Sequence, residues 1–278
     1  QVKYALKNRK NLTSEIRNML ITVLQPLLKP FAACLLKSKY RTQYDNSDTV
    51  VVLSENYIRP YLALAGAKDE KKIHAISNAL TFNEFISDEE ILKKQKEVLI
   101  VARLEEHTKR LSLALKIWKG IEKINTLNDW RLTIVGDGKD EGYYKHLCEK
   151  FKLERCKFEG RQNPLAYYKQ ASVFMMTSAA EGWPMTLMES IQMGVVPVVF
   201  DSFGSLHDIV TDGENGLIVP EKHISEYVAA LSKLMSNNEL RQKMAMNAVE
   251  SSKRFTVENV TKQWIELFNR LLDFWTRC

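Results

Sequence analysis

The sequence predicts an α/β protein: a complete domain on a doubly wound parallel sheet over residues 83–255, with an incomplete α/β domain before it in 1–82. A closing helical segment, 256–278, is expected to return towards that first domain. Three observations support this. Short apolar runs at 98–102, 131–135, 172–176 and 195–200 alternate with helical stretches at 109–125, 140–151, 184–193, 224–235 and 239–253. That alternation is the pattern of βαβ units around a parallel sheet. Upstream, only one convincing strand is present, too little for a second sheet. The chain has 278 residues, 45% hydrophobic and 27% charged, an ordinary globular composition with room for one large or two modest domains of roughly 100–200 residues each.

In chain order, Leu12, Ile16, Met19, Leu20, Val23, Leu24, Leu27, Leu28, Phe31 and Leu35 recur at helical spacing, interrupted by Pro26, Lys29 and Pro30. The run is too short and too marked for a membrane span. Residues 1–48 hold nine Lys/Arg against Glu15, Asp45 and Asp48, which accounts for the whole net charge of +6. Two readings stay open: a helix pair covering a domain core, or a basic amphipathic face on an anionic membrane surface. Thr49–Leu53 reads as a buried strand, 56–65 as a helix ending at Gly66, and Lys72–Asn78 as a second extended piece. The last helix, about 256–274, carries Val260, Trp264, Leu267, Phe268 and Leu271. Phe268, Leu272 and Trp275 are expected to form an exposed patch, and the chain alone to self-associate.

Cys34, Cys148, Cys156 and Cys278 are scattered, without metal-ligand spacing, and read as reduced, inert thiols of a cytoplasmic protein. No signal peptide opens the chain, and the absent initiator Met makes a fragment of a longer protein the expectation.

In open α/β sheets, ligands bind beyond the carboxyl ends of the strands. Past 98–102 come Arg103 and Lys109; past 131–135, Gly136-Asp137-Gly138; past Cys156-Lys157-Phe158, Gly160-Arg161. Past 172–176 runs Thr177-Ser178-Ala179-Ala180-Glu181-Gly182-Trp183-Pro184, which opens a helix containing Glu189. Pro184 suits the first helical position. The amides of Met185, Thr186 and Leu187 would then face the strand ends, where the helix dipole favours an anion. With Arg103 and Lys109 they make a diphosphate site; Glu189 suits a vicinal diol, and Glu181 lies nearer whatever the diphosphate carries. Taken singly, each has a plainer reading: a solvated Arg–Lys pair, a tight Gly-Asp-Gly turn, a packing Trp183, surface His107 and His207. Co-location past the strand ends carries the argument.

These residues resemble glycosyltransferase family 4. The likeness rests on Arg103 and Lys109, on Gly136-Asp137-Gly138, and above all on Glu181-Gly182-Trp183-Pro184-Met185-Thr186-Leu187-Met188-Glu189, whose glutamates match the family's E-x7-E motif. Gly194–Val199 and Asp212–Val219 also fit, so the resemblance covers about residues 50–270. It departs at Asn78-Ala79, where Gly often follows Asn, and at Asp208, where Glu is usual. The family's first domain supplies a Gly-rich loop and an acceptor pocket that are absent from this sequence.

The resemblance implies a GT-B fold of two Rossmann-like domains and retaining transfer of a hexose from a nucleotide diphosphate-sugar, UDP first and GDP second. Arg103 and Lys109 would bind the diphosphate, Glu189 the ribose and Glu181 the transferred sugar, with the 160–162 loop near the base. The implied acceptor is a glycan or lipid-linked saccharide in cell-envelope polysaccharide synthesis, met in the cytoplasm or at the inner face of the plasma membrane. No D-x-D tripeptide occurs, and fixed cations with helix amides can stabilise the leaving diphosphate, so neither cofactor nor metal is expected. Nucleic acid is not an expected partner.

Two rival readings remain. One is a non-catalytic nucleotide-sugar-binding module without its acceptor domain. The other is a dinucleotide-dependent oxidoreductase using Gly136-x-Gly138-x-x-x-Gly142 and Glu159, against which Asp140 and Glu141 set negative charge where a pyrophosphate would sit.

Overall fold

A computed structural model describes residues 33–277, with side chains to residue 273. The apolar run within 1–32, most of the basic segment and Cys278 lie outside the described residues, as does the Trp275 side chain.

The chain forms two compact units. In the first, residues 33–52 and 56–74, helix α1 (33–45) and helix α2 (Ile58–Ala65) accompany a two-stranded sheet of β1 (Val50–Val52) and β2 (Ile73–Ala75). Tyr44, Val50, Tyr61, Leu62, Ala65 and Ile73 make its core. Helix α2 stops where the sequence says it should: Gly66 is left-handed (φ 63°) and its amide returns to Leu62 O.

The second unit comprises residues 53–55 and 75–277. The division falls after residue 74 rather than after 82, and the closing helix clusters with this unit. Its sheet contains β3 (Gln95–Val101), β4 (Arg131–Val135), β5 (Cys156–Gly160), β6 (Ala171–Met176), β7 (Val196–Asp201) and β8 (Leu217–Pro220). They run parallel in the order β5-β4-β3-β6-β7-β8. Chain order therefore reverses between β3 and β6, which opens a crevice at their carboxyl ends. All six residues of β6 are buried, as strands covered on both faces must be.

The covering helices are α3 (Asp88–Leu92), α4 (Glu106–Lys109), α5 (Leu111–Ile121), α6 (Glu141–Phe151), α7 (Leu165–Gln170), α8 (Met185–Gln192), α9 (Leu206–Ile209), α10 (Ile224–Ser236), α11 (Asn238–Ser252) and α12 (Val257–Arg277). Trp118, Trp130, Tyr144, Tyr168, Tyr227, Phe174 and Phe200 lie fully inside.

The structure departs from the sequence reading in several places. The helix expected over 109–125 is two helices, because Arg110 adopts a left-handed conformation (φ 50°) between α4 and α5. Strand β8 and helices α3, α7 and α9 were not foreseen. Cys148 and Cys156 are not scattered: their sulfurs lie 3.9 Å apart. On α12, Phe268 and Leu272 are 53% and 63% exposed, while Leu267 and Val260 are buried. Among the described residues no helix is long and apolar enough to cross a membrane.

Candidate functional site

The loops following β3, β4 and β6 make up the rim of the crevice. The β3 loop is held by the β4 loop through backbone bonds: Ala102 N to Val135 O (3.0 Å), Leu104 N to Asp137 O (2.8 Å) and Asp140 N to Leu104 O (3.1 Å). This contact explains the Gly-Asp-Gly sequence. A Cβ on Gly136 would stand 1.9 Å from Ala102 O, and one on Gly138 would stand 2.4 Å from Leu104 O. Gly136 also has φ 135°, a conformation open to glycine alone. The space on the Cβ side of these glycines is filled by protein backbone, so packing of the two loops against each other accounts for both.

The same packing fixes the backbone around Arg103. Its side chain is exposed and makes no hydrogen bond or ion pair among the described residues. At β5, Gly160 is left-handed (φ 68°) and its carbonyl accepts from Gly136 N (2.8 Å). Arg161 follows it, exposed.

The β6 loop is stitched to the α4–α5 junction. Ala179 N donates to Thr108 O (2.7 Å), and the Thr177 hydroxyl donates to Lys109 O (3.0 Å) or Arg110 O (3.2 Å). In return Arg110 donates to Thr177 O (2.9 Å) and Ser178 O (2.6 Å), and pairs with Glu221 (2.6 Å). Charge-assisted hydrogen bonds contribute about 1.5–3 kcal/mol each, so Arg110 is the rivet of this corner. It also explains the break at residue 110, because the left-handed turn aims the guanidinium at two carbonyls.

The stitching brings together two residues 72 apart in sequence. Lys109 Nζ and Glu181 Oε1 lie 2.5 Å apart, with side chains 20% and 13% exposed. The cation expected at the diphosphate and the carboxylate expected at the sugar thus face each other.

Pro184 occupies the cap position of α8 (φ −76°, ψ 96°) rather than its first helical position, which Met185 takes. The expectation of three open amides is corrected accordingly: Leu187 N donates to Pro184 O (3.0 Å). Met185 N and Thr186 N have no acceptor among the described residues. Trp183 packs edge-on against Phe255, ring centres 5.5 Å apart, and is 7% exposed.

Glu189 lies deeper, at 8% exposure. Burial pushes its carboxyl pKa up, opposed by hydrogen bonds from Thr81 and Tyr168. The Tyr168 hydroxyl is 3.0 Å from Glu189 Oε2 and 3.1 Å from Thr186 O. Gln192, fully buried one turn on, ties α8 to the preceding segment through Phe82 O (2.7 Å) and Glu84 O (3.0 Å).

The sequence reading missed Arg110, Thr177, Tyr168 and Gln192. The one available signal was adjacency, Arg110 next to Lys109 and Thr177 at the β6 terminus; nothing marked Tyr168 or Gln192. Among the described residues no group of three or more His, Cys, Asp or Glu side chains is arranged to ligate a metal.

Comparison with known proteins gives the family and the fold type. The family pattern described as glycosyl transferases group 1 matches residues 81–251. The amylovoran biosynthesis glycosyltransferase AmsD of Erwinia amylovora is 27% identical over 259 residues, covering 91% of this chain and 71% of its own. An α-1,4-N-acetyl-D-galactosaminyltransferase of Campylobacter jejuni, named for an undecaprenol-linked saccharide, is 26% identical over 216 residues, covering 74% and 59%. Among solved structures, S. aureus TarM in complex with UDP superposes with TM-score 0.72 at 22% identity, over 84% of this chain and 46% of its own. Anabaena HepE with UDP and glucose gives TM-score 0.71 at 18% identity, over 84% and 67%. These likenesses establish the GT-B type of α/β fold. The chain spans between about half and seven-tenths of the length of these proteins.

Proposed function

From the premise that this chain belongs to the group 1 glycosyl transferases, we propose that it forms the donor-binding part of a retaining, family 4 hexosyltransferase acting in cell-envelope polysaccharide synthesis. The observation that carries the reading is the crevice at the switch point. There Arg103 stands exposed on a loop held by backbone hydrogen bonds, Lys109 meets Glu181 at 2.5 Å, and α8 begins past the carboxyl end of β6.

In this reading Arg103 and Lys109 take the diphosphate, helped by the Met185 and Thr186 amides and the α8 dipole. Glu189 accepts the ribose hydroxyls, Glu181 meets the sugar, and Gly160-Arg161 borders the base. UDP is the first choice, supported by relatives solved with UDP, and GDP the second. As the bond from the anomeric carbon to the diphosphate oxygen breaks, the leaving electron pair goes to the diphosphate. Arg103, Lys109 and the amides stabilise that charge without reorganising. The acceptor hydroxyl bonds the same face of the sugar, and a donor phosphate oxygen takes its proton.

The acceptor is a glycan or lipid-linked saccharide. The basic segment 1–48 is proposed to hold the protein on an anionic cytoplasmic membrane face, at about 1 kcal/mol per basic residue near the surface. Product stereochemistry tests the central part. With an α-linked UDP-hexose donor, nuclear magnetic resonance of the product shows an α-linkage; a β-linked product overturns the retaining assignment.

A further inference from the structure

We propose that Tyr168 is the positioning residue for Glu189: its hydroxyl, held between the Thr186 carbonyl and Glu189 Oε2, fixes the carboxylate that meets the ribose diol. The proposal rests on the reading of Glu189 as the ribose acceptor and adds what orients it.

Glu189 sits on α8 with an unbranched side chain of three rotatable bonds, so without a partner its carboxylate samples several rotamers. With Thr81, whose side chain also hydrogen-bonds the carboxylate, Tyr168 removes that freedom. Its ring is fully buried, 6.1 Å from both Phe174 and Phe82, so the phenol reaches α8 as a rigid rod. The hydroxyl lies 3.0 Å from Oε2 of Glu189 and 3.1 Å from the carbonyl of Thr186, one turn earlier on the same helix. The hydroxyl has one hydrogen for these two acceptors on one helix, and its donation to Glu189 Oε2 is what sets the rotation of the carboxylate.

Tyr168 is itself anchored from behind. The Lys94 ammonium donates to the carbonyls of Tyr168 (2.7 Å), Lys169 (3.3 Å) and Ala171 (2.9 Å). These carbonyls close the short helix α7, whose last turn has no other side-chain cap among the described residues. Burial pushes the Lys94 pKa down to about 7, while its place at a helix carboxyl end favours the charged form. The chain of contact therefore runs from Lys94 through the α7 backbone and the Tyr168 hydroxyl to Glu189. A carboxylate held in one orientation recognises two adjacent hydroxyls better than a mobile one, because less rotamer freedom is lost on binding.

A structural role for Tyr168 would weaken every ligand of the crevice alike. A positioning role acts only on ligands that offer Glu189 a diol. The test measures the dissociation constants of UDP and of 2′,3′-dideoxy-UDP by calorimetry on wild type, Tyr168→Phe, Glu189→Ala and the double variant. In wild type UDP is expected to bind at least tenfold more tightly than the dideoxy analogue. Tyr168→Phe keeps the ring and is expected to narrow that ratio by three- to tenfold while leaving dideoxy-UDP unchanged. In the Glu189→Ala background it should have no further effect.

Failure of either layer reads differently. If Glu189→Ala leaves the ratio unchanged, the ribose reading of Glu189 fails. If Glu189→Ala collapses the ratio while Tyr168→Phe leaves it at the wild-type value, or weakens both ligands equally, the positioning proposal is overturned alone. Should Tyr168→Phe lack a cooperative thermal transition, Lys94→Met, which unties α7 without touching either side chain, carries the same measurement. A narrowed ratio then supports the proposal, and an unchanged one overturns it.

Discussion

Replacing Glu181 with Ala should leave UDP binding intact or make it tighter, although Glu181 belongs to the most conspicuous motif in the chain. The reason is the ion pair with Lys109, at 2.5 Å and with both side chains at least four-fifths buried. Two unit charges 4 Å apart attract by about 4 kcal/mol at an effective dielectric near 20. Desolvation and side-chain entropy offset most of that, as measured ion pairs show. An incoming diphosphate competes with Glu181 for the same ammonium and is also repelled by the carboxylate. Deleting the carboxylate removes both effects. If about 1 kcal/mol of net competition is relieved, the dissociation constant of UDP falls roughly fivefold.

The free protein should pay the cost instead. Lys109 loses its anion inside the crevice, the melting temperature drops, and saturating UDP restores part of the loss by mass action. Turnover should fall by at least about a hundredfold, because the group facing the sugar is gone while nucleotide affinity is kept. Calorimetry with UDP on wild type, Glu181→Ala and Lys109→Met provides the comparison, Lys109→Met weakening UDP by roughly ten- to a hundredfold. A Glu181→Ala protein that binds UDP tenfold more weakly, beside a Lys109→Met protein that binds normally, would show that the two side chains do not compete for the diphosphate in this way.

Three further outcomes follow from the geometry. Gly138→Ala sets a Cβ 2.4 Å from Leu104 O and should cost about 3 kcal/mol, or roughly 6–12 °C in melting temperature, with UDP affinity falling as the Arg103 loop shifts. Burial raises the folded-state pKa of Glu189 above its unfolded value, so the folded chain binds the extra proton and stability falls as pH rises through that interval. Glu189→Gln should therefore melt above wild type at pH 8, and the two should converge near pH 4; a variant that melts lower at pH 8 contradicts the assignment. Val257, Ile265, Phe268 and Leu272, each more than half exposed on α12, should drive self-association of the chain alone, seen as a concentration-dependent mass by light scattering; Phe268→Ser with Leu272→Ser should return it to a monomer.

The sheet was legible because its inner strands are buried on both faces and carry unbroken apolar runs, such as Val173–Met176 and Val196–Phe200. Strand β8 escaped notice because it has four residues, sits on the edge and follows the polar turn Asp212–Asn215. The division of 109–125 at Arg110 was illegible for another reason. A left-handed arginine is rare, and here it is stabilised by Thr177 O and Ser178 O, which are distant in sequence.

The same distinction runs through the candidate site. Residues just past a strand end, namely Arg103, Lys109, Glu181 and Glu189 with its helix, are found by position along the chain. Their couplings are tertiary. The Lys109–Glu181 pair, the contact of Gly136 and Gly138 with the 102–104 backbone, and the seat of Glu189 on Tyr168 need distances that periodicity does not carry. The missing donor of Pro184 predicts the first helical position, but that absence serves the cap position, which Pro184 occupies, equally well.

The crevice between the β3 and β6 loops is proposed to hold a nucleoside diphosphate through Arg103 and Lys109. Calorimetric titration of this chain with UDP, UMP and uridine, repeated on Arg103→Ala with Lys109→Met, tests it most directly. One UDP per chain is expected, with affinity falling from UDP to UMP to uridine, and with UDP and UMP equal for the double variant. Wild-type protein that binds uridine as tightly as UDP, or a double variant with the wild-type affinity for UDP, would contradict it.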